Sequence, residues 1–126
     1  MKFIDANYIL RYLLQDNQKQ FQIAKDIIEN HEVIFADFIL AEVVYVLEKV
    51  YTVPRVDIKN ALQSLIQYPN ISLSDKDACI KSLLIYSKYK IDYADAFLVS
   101  LVNLNTGSNL FTFDKKLLKI LSEITP

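Results

Sequence analysis

The chain is poor in the residues from which most metal centres and many hydrolytic sites are built. Its single cysteine, Cys79, excludes an internal disulfide and cannot by itself make a thiolate zinc site. His31 is the only histidine, so histidine-rich metal binding, a paired-histidine ribonuclease and a Cys–His couple are all hard to build. If the protein is an enzyme, carboxylates are therefore the expected catalytic groups.

Glycine and proline are scarce too. One Gly and three Pro in 126 residues leave no room for a long flexible linker or a low-complexity tract, and no internal repeat is visible. The length is typical of one domain, and a chain of this size buries roughly 60–70% of its unfolded surface. We therefore expect a single domain over residues 1–126.

Long apolar runs are missing as well. The opening segment is apolar, but Asp5 and Arg11 interrupt it and no small-residue cleavage site follows. No stretch approaches the roughly 18 apolar residues that a membrane helix needs. We expect a cytoplasmic protein without a membrane partner.

Neither sign of charge prevails. The 14 Lys and Arg residues face 15 Asp and Glu residues, for a net charge of −1, whereas nucleic-acid-binding proteins typically carry a basic excess. A role in nucleic-acid chemistry would therefore need a local basic patch, and a metal ion to offset the acids.

Short apolar runs alternate with helical patterns along the chain. Short strands are predicted at 2–4, 33–35, 71–73 and 110–113, and the one at 33–35 is a compact β-branched and aromatic run. Helices are predicted at 7–14, 18–30, from Asp37 to a stop at Val53-Pro54, 55–67, 75–89, 93–104 and 115–122. This alternation indicates an α/β domain with a mostly parallel sheet, in which ligands bind at the carboxyl ends of the strands.

Two aspartates directly follow predicted strands. Asp5 ends the first strand and Asp114 the last, so both belong at the carboxyl edge of the sheet. One such residue is often only a turn or cap residue, and Asp114 is well placed to cap the helix over 115–122. Two of them in one small sheet favour a shared site.

Three further acids lie on predicted helices. Asp95 shares its helix face with Leu98 and Val99, where a charge needs a partner or a metal, although a first helical turn also favours a carboxylate. Asp92 is either the cap of this helix or a site residue. Glu42 falls at the margin of an apolar helix face, and is either a surface acid or a site residue.

Gathered carboxylates need a compensating charge. Two of them about 4 Å apart repel by roughly 4 kcal/mol at an effective dielectric constant near 20. Hard cations such as Mg²⁺ prefer oxygen ligands, and they activate water and stabilise charge on a phosphodiester. An acid-only site therefore suits phosphoryl chemistry.

At these residues the sequence resembles the PIN-domain family, and within it the VapC-type toxins of bacterial and archaeal toxin–antitoxin pairs. Each fragment alone is weak, but all four in order at the expected spacing are fairly specific. The fragments are FIDANYIL at 3–10, AEVVYVLE at 41–48, DYADAFL at 92–98 and FTFD at 111–114.

The resemblance implies a three-layer α/β/α fold and an Mg²⁺- or Mn²⁺-dependent endoribonuclease. It makes Asp5 and Asp95 the principal metal ligands and lets Glu42 and Asp114 complete the catalytic cluster. Asp92 is a candidate further acid, while Asn7 and Thr112 would position ligands or phosphate. It also implies RNA as the substrate, a cognate antitoxin as a partner and a homodimer.

Asp37 and three lysines are further residues to consider with this pattern. Asp37 occupies a position where such proteins often have a small hydroxyl residue, and it is either a cap or an added charge. Lys115, Lys116 and Lys119 directly follow Asp114, and are either phosphate contacts or ordinary solvated lysines.

The same residues can be compared with the patterns of three other functions. A phosphatase of the haloacid-dehalogenase type uses an Asp-x-Asp pair, but the chain has Asp5-Ala6-Asn7 and lacks the second carboxylate. A response-regulator receiver domain needs a phosphoacceptor Asp on a middle strand, whereas strand 33–35 leads into Ala36-Asp37. A catalytically inactive PIN-like binding or scaffold module is the non-enzymatic alternative.

Overall fold

The computed structural model describes residues 1–125, which form seven helices and two short strands. The chain divides into two compact units, the first spanning Met1–Lys76 and the second beginning at Asp77. In chain order the elements are α1 (Ala6–Leu14), α2 (Gln18–Asn30), β1 (Val33–Ile34), α3 (Asp37–Lys49), α4 (Arg55–Ile66), β2 (Ile71–Ser72), α5 (Lys76–Lys88), α6 (Tyr93–Leu104) and α7 (Lys115–Ile124).

The sheet of the first unit is parallel, as predicted. β1 and β2 pair with Val33 opposite Ile71 and Ile34 opposite Ser72. Phe3 adds a single parallel bridge to Ile34, so the predicted strand at 2–4 is reduced to one residue. Three chain segments therefore run side by side and in the same direction, and the positions that follow them share one edge.

Helical apolar spacing builds the core of the first unit. Among the completely buried side chains are Ile9 on α1, Ile28 on α2 and Leu40 on α3. Each lies on the face of its helix where apolar residues recur every three or four positions. Phe35, directly after β1, is also completely buried. Each such side chain contributes roughly 1.5–3 kcal/mol to folding by leaving water.

The core of the second unit contains polar atoms that are all paired with neighbours. The buried hydroxyl of Ser82 lies 2.7 Å from the hydroxyl of Tyr93, and the Tyr93 ring packs edge-on against Tyr86. Ser100 Oγ donates to the carbonyl oxygens of Phe97 and Ala78. Pairing removes most of the cost of burying these hydroxyls.

The predicted strand at 110–113 is wrong, because the structure has no strand there. Phe111 and Phe113 are 94% and 106% exposed, so neither ring packs into a core. β-forming residues become a strand only when a neighbouring strand offers hydrogen bonds, and no backbone hydrogen bond of the described residues reaches this segment.

The predicted helices are all present, with end points that differ by a few residues. The largest difference is in α3, which stops at Lys49 instead of continuing to Val53-Pro54. Thr52 has a left-handed backbone with φ of 51°, which a helix cannot contain. Among residues 1–125, no helix is long and apolar enough to cross a bilayer.

Candidate functional site

Asp5 is the N-cap of α1. Its Oδ1 accepts a hydrogen bond from the backbone N–H of Tyr8 at 3.0 Å, and its extended backbone carries the chain from the Phe3 bridge into the helix. Aspartate is among the best capping residues because its short carboxylate reaches the unpaired amides of the first turn. The side chain is exposed, and its second oxygen has no partner within residues 1–125.

Asn7 and Arg11 lie further along α1. Asn7 is exposed, in the first turn that Asp5 caps. One turn later, Arg11 Nη1 contacts both carboxylate oxygens of Asp16 at 2.7 Å, and Nη2 donates to the hydroxyl of Tyr51 at 3.2 Å. The Tyr51 hydrogen bond raises the pKa of Arg11, although burial opposes it. Arg11 is thus a fixed structural cation that holds the end of α1.

Glu42 lies in the second turn of α3 and is exposed. The next two residues, Val43 and Val44, are buried, so Glu42 stands at the margin of the apolar face, as the helical wheel predicts. Its carboxylate makes no hydrogen bond or ion pair with any other described residue. It is therefore available to bind a ligand.

Asp37 does not cap α3. The N-cap position belongs to Ala36, and Asp37 is the first helical residue. Its Oδ2 accepts a hydrogen bond from Ser74 Oγ at 3.1 Å, while its Oδ1 is buried without a hydrogen-bond partner among the described residues. Asp37 follows β1 and Ser74 follows β2, so this bond joins the segments that leave two neighbouring strands.

Asp92 and Asp95 stand at the start of α6. Asp92 has the N-cap position, but its side chain makes no capping hydrogen bond. Its carbonyl oxygen accepts the first helical bond, from Ala96 N–H at 3.0 Å. Asp95 is half-buried in the first turn and has no hydrogen-bond or ion-pair partner within the described chain. The positive end of the helix dipole stabilises the carboxylates of both Asp92 and Asp95.

Asp114 is the N-cap of α7 and is fixed from both sides. Its Oδ1 accepts from Lys116 N–H at 2.9 Å, and its own N–H donates to Thr112 Oγ1 at 3.0 Å. The capping function predicted for Asp114 is confirmed. Like Asp5, it uses only one carboxylate oxygen in the cap, which leaves the other for a ligand.

The three lysines of the first turns of α7 do not behave alike. All three are exposed, but Lys116 Nζ donates to the backbone carbonyl of Lys90 at 2.6 Å. The amines of Lys115 and Lys119 have no hydrogen-bond partner in the described structure. Sequence reasoning did not identify Lys90 as the partner of Lys116, because a backbone carbonyl leaves no signal in the residue types.

The donor set fits a hard divalent cation in its chemistry. Every predicted ligand is a carboxylate, and in Asp5 and Asp114 one oxygen remains unused. Within residues 1–125, no group of three or more His, Cys, Asp or Glu side chains is placed to hold a metal ion. The convergence of Asp5, Glu42, Asp95 and Asp114 on one ion therefore stays a prediction.

Comparison with known proteins bears on nearly the whole chain. Residues 2–121 match the family model described as PIN domain. Comparisons with curated proteins and with solved structures found no match. PIN domains are α/β proteins and are generally nucleases, in agreement with the helices and parallel strands described above. Because the family match spans residues 2–121 of 126, this chain belongs to the PIN domain family.

Proposed function

We propose that this protein is a divalent-metal-dependent endoribonuclease that hydrolyses RNA phosphodiester bonds with Asp5, Glu42, Asp95 and Asp114. The observation that carries the proposal is the PIN family match over residues 2–121. The capping geometry supports it, because two of these acids are held at defined positions while each keeps one oxygen unpaired. Such side chains can meet a cation without losing their place in the fold.

Mg²⁺ or Mn²⁺ is the proposed cofactor, with Asp5 and Asp95 as its principal ligands. When bound, such an ion activates water and offsets the charge that develops on the phosphodiester. Asp95 is half-buried and unpaired, so a cation would compensate the cost of keeping its charge away from water. Glu42 and Asp114 would add negative charge, and Asp92 is a further candidate ligand since it forms no cap bond.

Neutral and basic groups would hold the RNA. Asn7 is exposed beside Asp5, and the Thr112 hydroxyl accepts from Asp114 N–H while its proton remains able to donate to a phosphate oxygen. Lys115 and Lys119 have exposed amines that can contact phosphates, which would make binding dependent on salt. The net charge of −1 means that this attraction must be local.

The biological role that we propose is that of the toxin in a type II toxin–antitoxin pair. The support is the resemblance of four fragments to VapC-type toxins, at 3–10, 41–48, 92–98 and 111–114. The proposal includes a three-layer α/β/α fold for the domain, a homodimer, a cytoplasmic location and an antitoxin protein as partner.

RNA cleavage tests the enzymatic proposal directly. Purified protein is incubated with end-labelled RNA in Mn²⁺, in Mg²⁺ and in EDTA, beside the variant Asp5→Asn. We expect cleavage with either ion and none in EDTA or with the variant. Cleavage that persists in EDTA, or in Asp5→Asn, would contradict the proposal, and a wild-type protein that binds RNA without cutting it would favour an inactive PIN-like module.

Growth tests the toxin role separately. Induced expression of the wild-type chain in bacteria should arrest growth, and Asp95→Asn should relieve the arrest at equal protein level. Equal growth with both proteins would count against a toxin while leaving the nuclease result unaffected.

A further inference from the structure

Lys116 makes a contact that its neighbours do not make. Its Nζ donates to the carbonyl oxygen of Lys90 at 2.6 Å, across 26 positions of the sequence. Lys90 lies in the short connection between α5 and α6, two residues before Asp92. The bond therefore joins the start of α7 to the segment that leads into α6.

The amine is engaged by a backbone group and not by an acid. Within residues 1–125, no carboxylate lies within ion-pair distance of Lys116. A hydrogen bond from an ammonium group to a carbonyl oxygen is short and stronger than one between neutral groups. A backbone acceptor also moves only with the chain, so the bond restrains the backbone of the α5–α6 connection itself.

Lys116 also forms a hydrogen bond with Asp114. The Lys116 N–H donates to Asp114 Oδ1 at 2.9 Å, while its side chain reaches Lys90. Lys116 thus contacts the acid at the start of α7 with its backbone and the approach to Asp92 and Asp95 with its side chain. One residue links the beginnings of two packed helices, and both carry predicted site acids at their N-terminal ends.

We propose that Lys116 is a positioning residue, which sets the distance of Asp114 from Asp92 and Asp95 and thereby tunes divalent-cation affinity. This inference rests on the proposed metal-dependent function. Substitution of a residue that orients a metal ligand without touching the ion typically lowers metal affinity or activity about 10–100-fold. Mg²⁺ is particularly demanding because it needs near-ideal octahedral geometry.

The test compares three lysines on one helix. Lys116→Met keeps the aliphatic stem and removes the donor, Lys116→Arg restores a cationic donor, and Lys115→Met and Lys119→Met remove charges of the same sign from the same surface. Mn²⁺ affinity is measured by calorimetric titration of the full chain without RNA. We expect Lys116→Met to weaken Mn²⁺ binding about tenfold, Lys116→Arg to recover part of it, and the other two variants to bind like the wild type.

A second measurement tests the restraint without any metal. Hydrogen–deuterium exchange follows the amides of Ile91 and Ala96, which donate to Tyr89 and Asp92 at 3.0 Å. Both amides should exchange several-fold faster in Lys116→Met and at the wild-type rate in Lys115→Met. Unchanged exchange would overturn the positioning role, whether or not the wild type binds metal. A wild type that binds no metal would instead contradict the proposed function.

The remaining outcomes separate positioning from RNA contact. If Lys116→Met bound Mn²⁺ like the wild type but lost RNA affinity with a shallower salt dependence, Lys116 would be a phosphate contact and the inference would be wrong. Wild-type Mn²⁺ binding and cleavage, together with weak Mn²⁺ binding by all three methionine variants, would point to a general disturbance of α7 and would also overturn it.

Discussion

Thr112 and Asp114 are joined by a hydrogen bond in which the Asp114 N–H donates to Thr112 Oγ1 at 3.0 Å. Asp114 in turn accepts from Lys116 N–H through Oδ1. The hydroxyl thus fixes the backbone of the residue whose carboxylate caps α7. Thr112 therefore orients Asp114 at the start of α7.

We expect Thr112→Val to lower the rate of metal-dependent RNA cleavage by roughly three- to tenfold. Valine has nearly the same shape but no acceptor, and the loss of one hydrogen bond costs about 0.5–1.5 kcal/mol. Thr112→Ser keeps the hydroxyl and should retain most of the activity. Cleavage rates at saturating RNA measure the effect, and a loss in Thr112→Ser without a loss in Thr112→Val would show that the methyl group matters instead of the hydroxyl.

Substitution of Asp5 by asparagine should separate its helix-capping function from its proposed function in RNA cleavage. Asparagine caps a helix about as well as aspartate, so Asp5→Asn should leave the free energy of unfolding within about 0.5 kcal/mol of the wild type. Its neutral amide is a poor cation ligand, and we expect cleavage to fall at least about a hundredfold. Urea unfolding and RNA cleavage are measured on the same preparations.

Asp5→Ala is the complementary variant. It removes the Oδ1 bond to Tyr8 N–H as well as the charge, so it should be about 1 kcal/mol less stable than Asp5→Asn while cleaving equally slowly. If Asp5→Asn cleaved RNA at the wild-type rate, Asp5 would be a cap and nothing more.

The N-caps of α6 and α7 should respond differently to the same change. Asp114 makes a capping bond, so Asp114→Ala should cost about 0.5–2 kcal/mol of stability. Asp92 makes none, so Asp92→Ala should cost less than that. Thermal unfolding of both variants measures the difference, and a larger cost at Asp92 would show that its carboxylate caps α6 after all.

The helices of the protein follow closely from its local sequence. Apolar residues at helical spacing predicted every helix, because a buried face such as Ile9 and Leu10 of α1 follows from periodicity alone. β1 is recognisable as part of a compact β-branched and aromatic run, and β2 as a short apolar segment before a turn. The segment at 110–113 is also short, apolar and aromatic, but pairing depends on a distant partner that no local pattern encodes.

The sequence predicts the residue types of the candidate site, but it does not predict the hydrogen bonds around it. Helix boundaries alone place aspartates at the starts of α1, α6 and α7, whereas the strand that was expected to end at Asp114 does not form. The bond from Ser74 to Asp37 joins residues 37 positions apart, and that from Lys116 ends on a backbone carbonyl. Such contacts follow from tertiary packing, and a single sequence contains no direct signal for them.

Tyr12 should make the stability of the protein sensitive to alkaline pH. Its half-buried hydroxyl donates to Glu29 Oε2 at 2.6 Å and lies 3.1 Å from the hydroxyl of Tyr68. Burial, and then the hydrogen bond to Glu29, raise the pKa of Tyr12 above its ordinary value of 10.0. In the unfolded chain the phenol therefore loses its proton at a lower pH than in the folded protein, and stability falls as the pH rises through about 10.

We expect Tyr12→Phe to be less stable than the wild type at about pH 8, since it loses the bond to Glu29, and to lose less stability between about pH 9 and about pH 11.5. The two curves should approach each other as the pH rises, because the wild type alone must keep a proton that the unfolded chain releases. Urea unfolding across this range measures the difference. Tyr45→Phe is the matched control, since that hydroxyl is exposed and unpaired within the described residues, and it should follow the wild-type curve. A constant gap between Tyr12→Phe and the wild type would mean that Tyr12 ionises alike in both states, and that its bonds to Glu29 and Tyr68 do not hold its proton in solution.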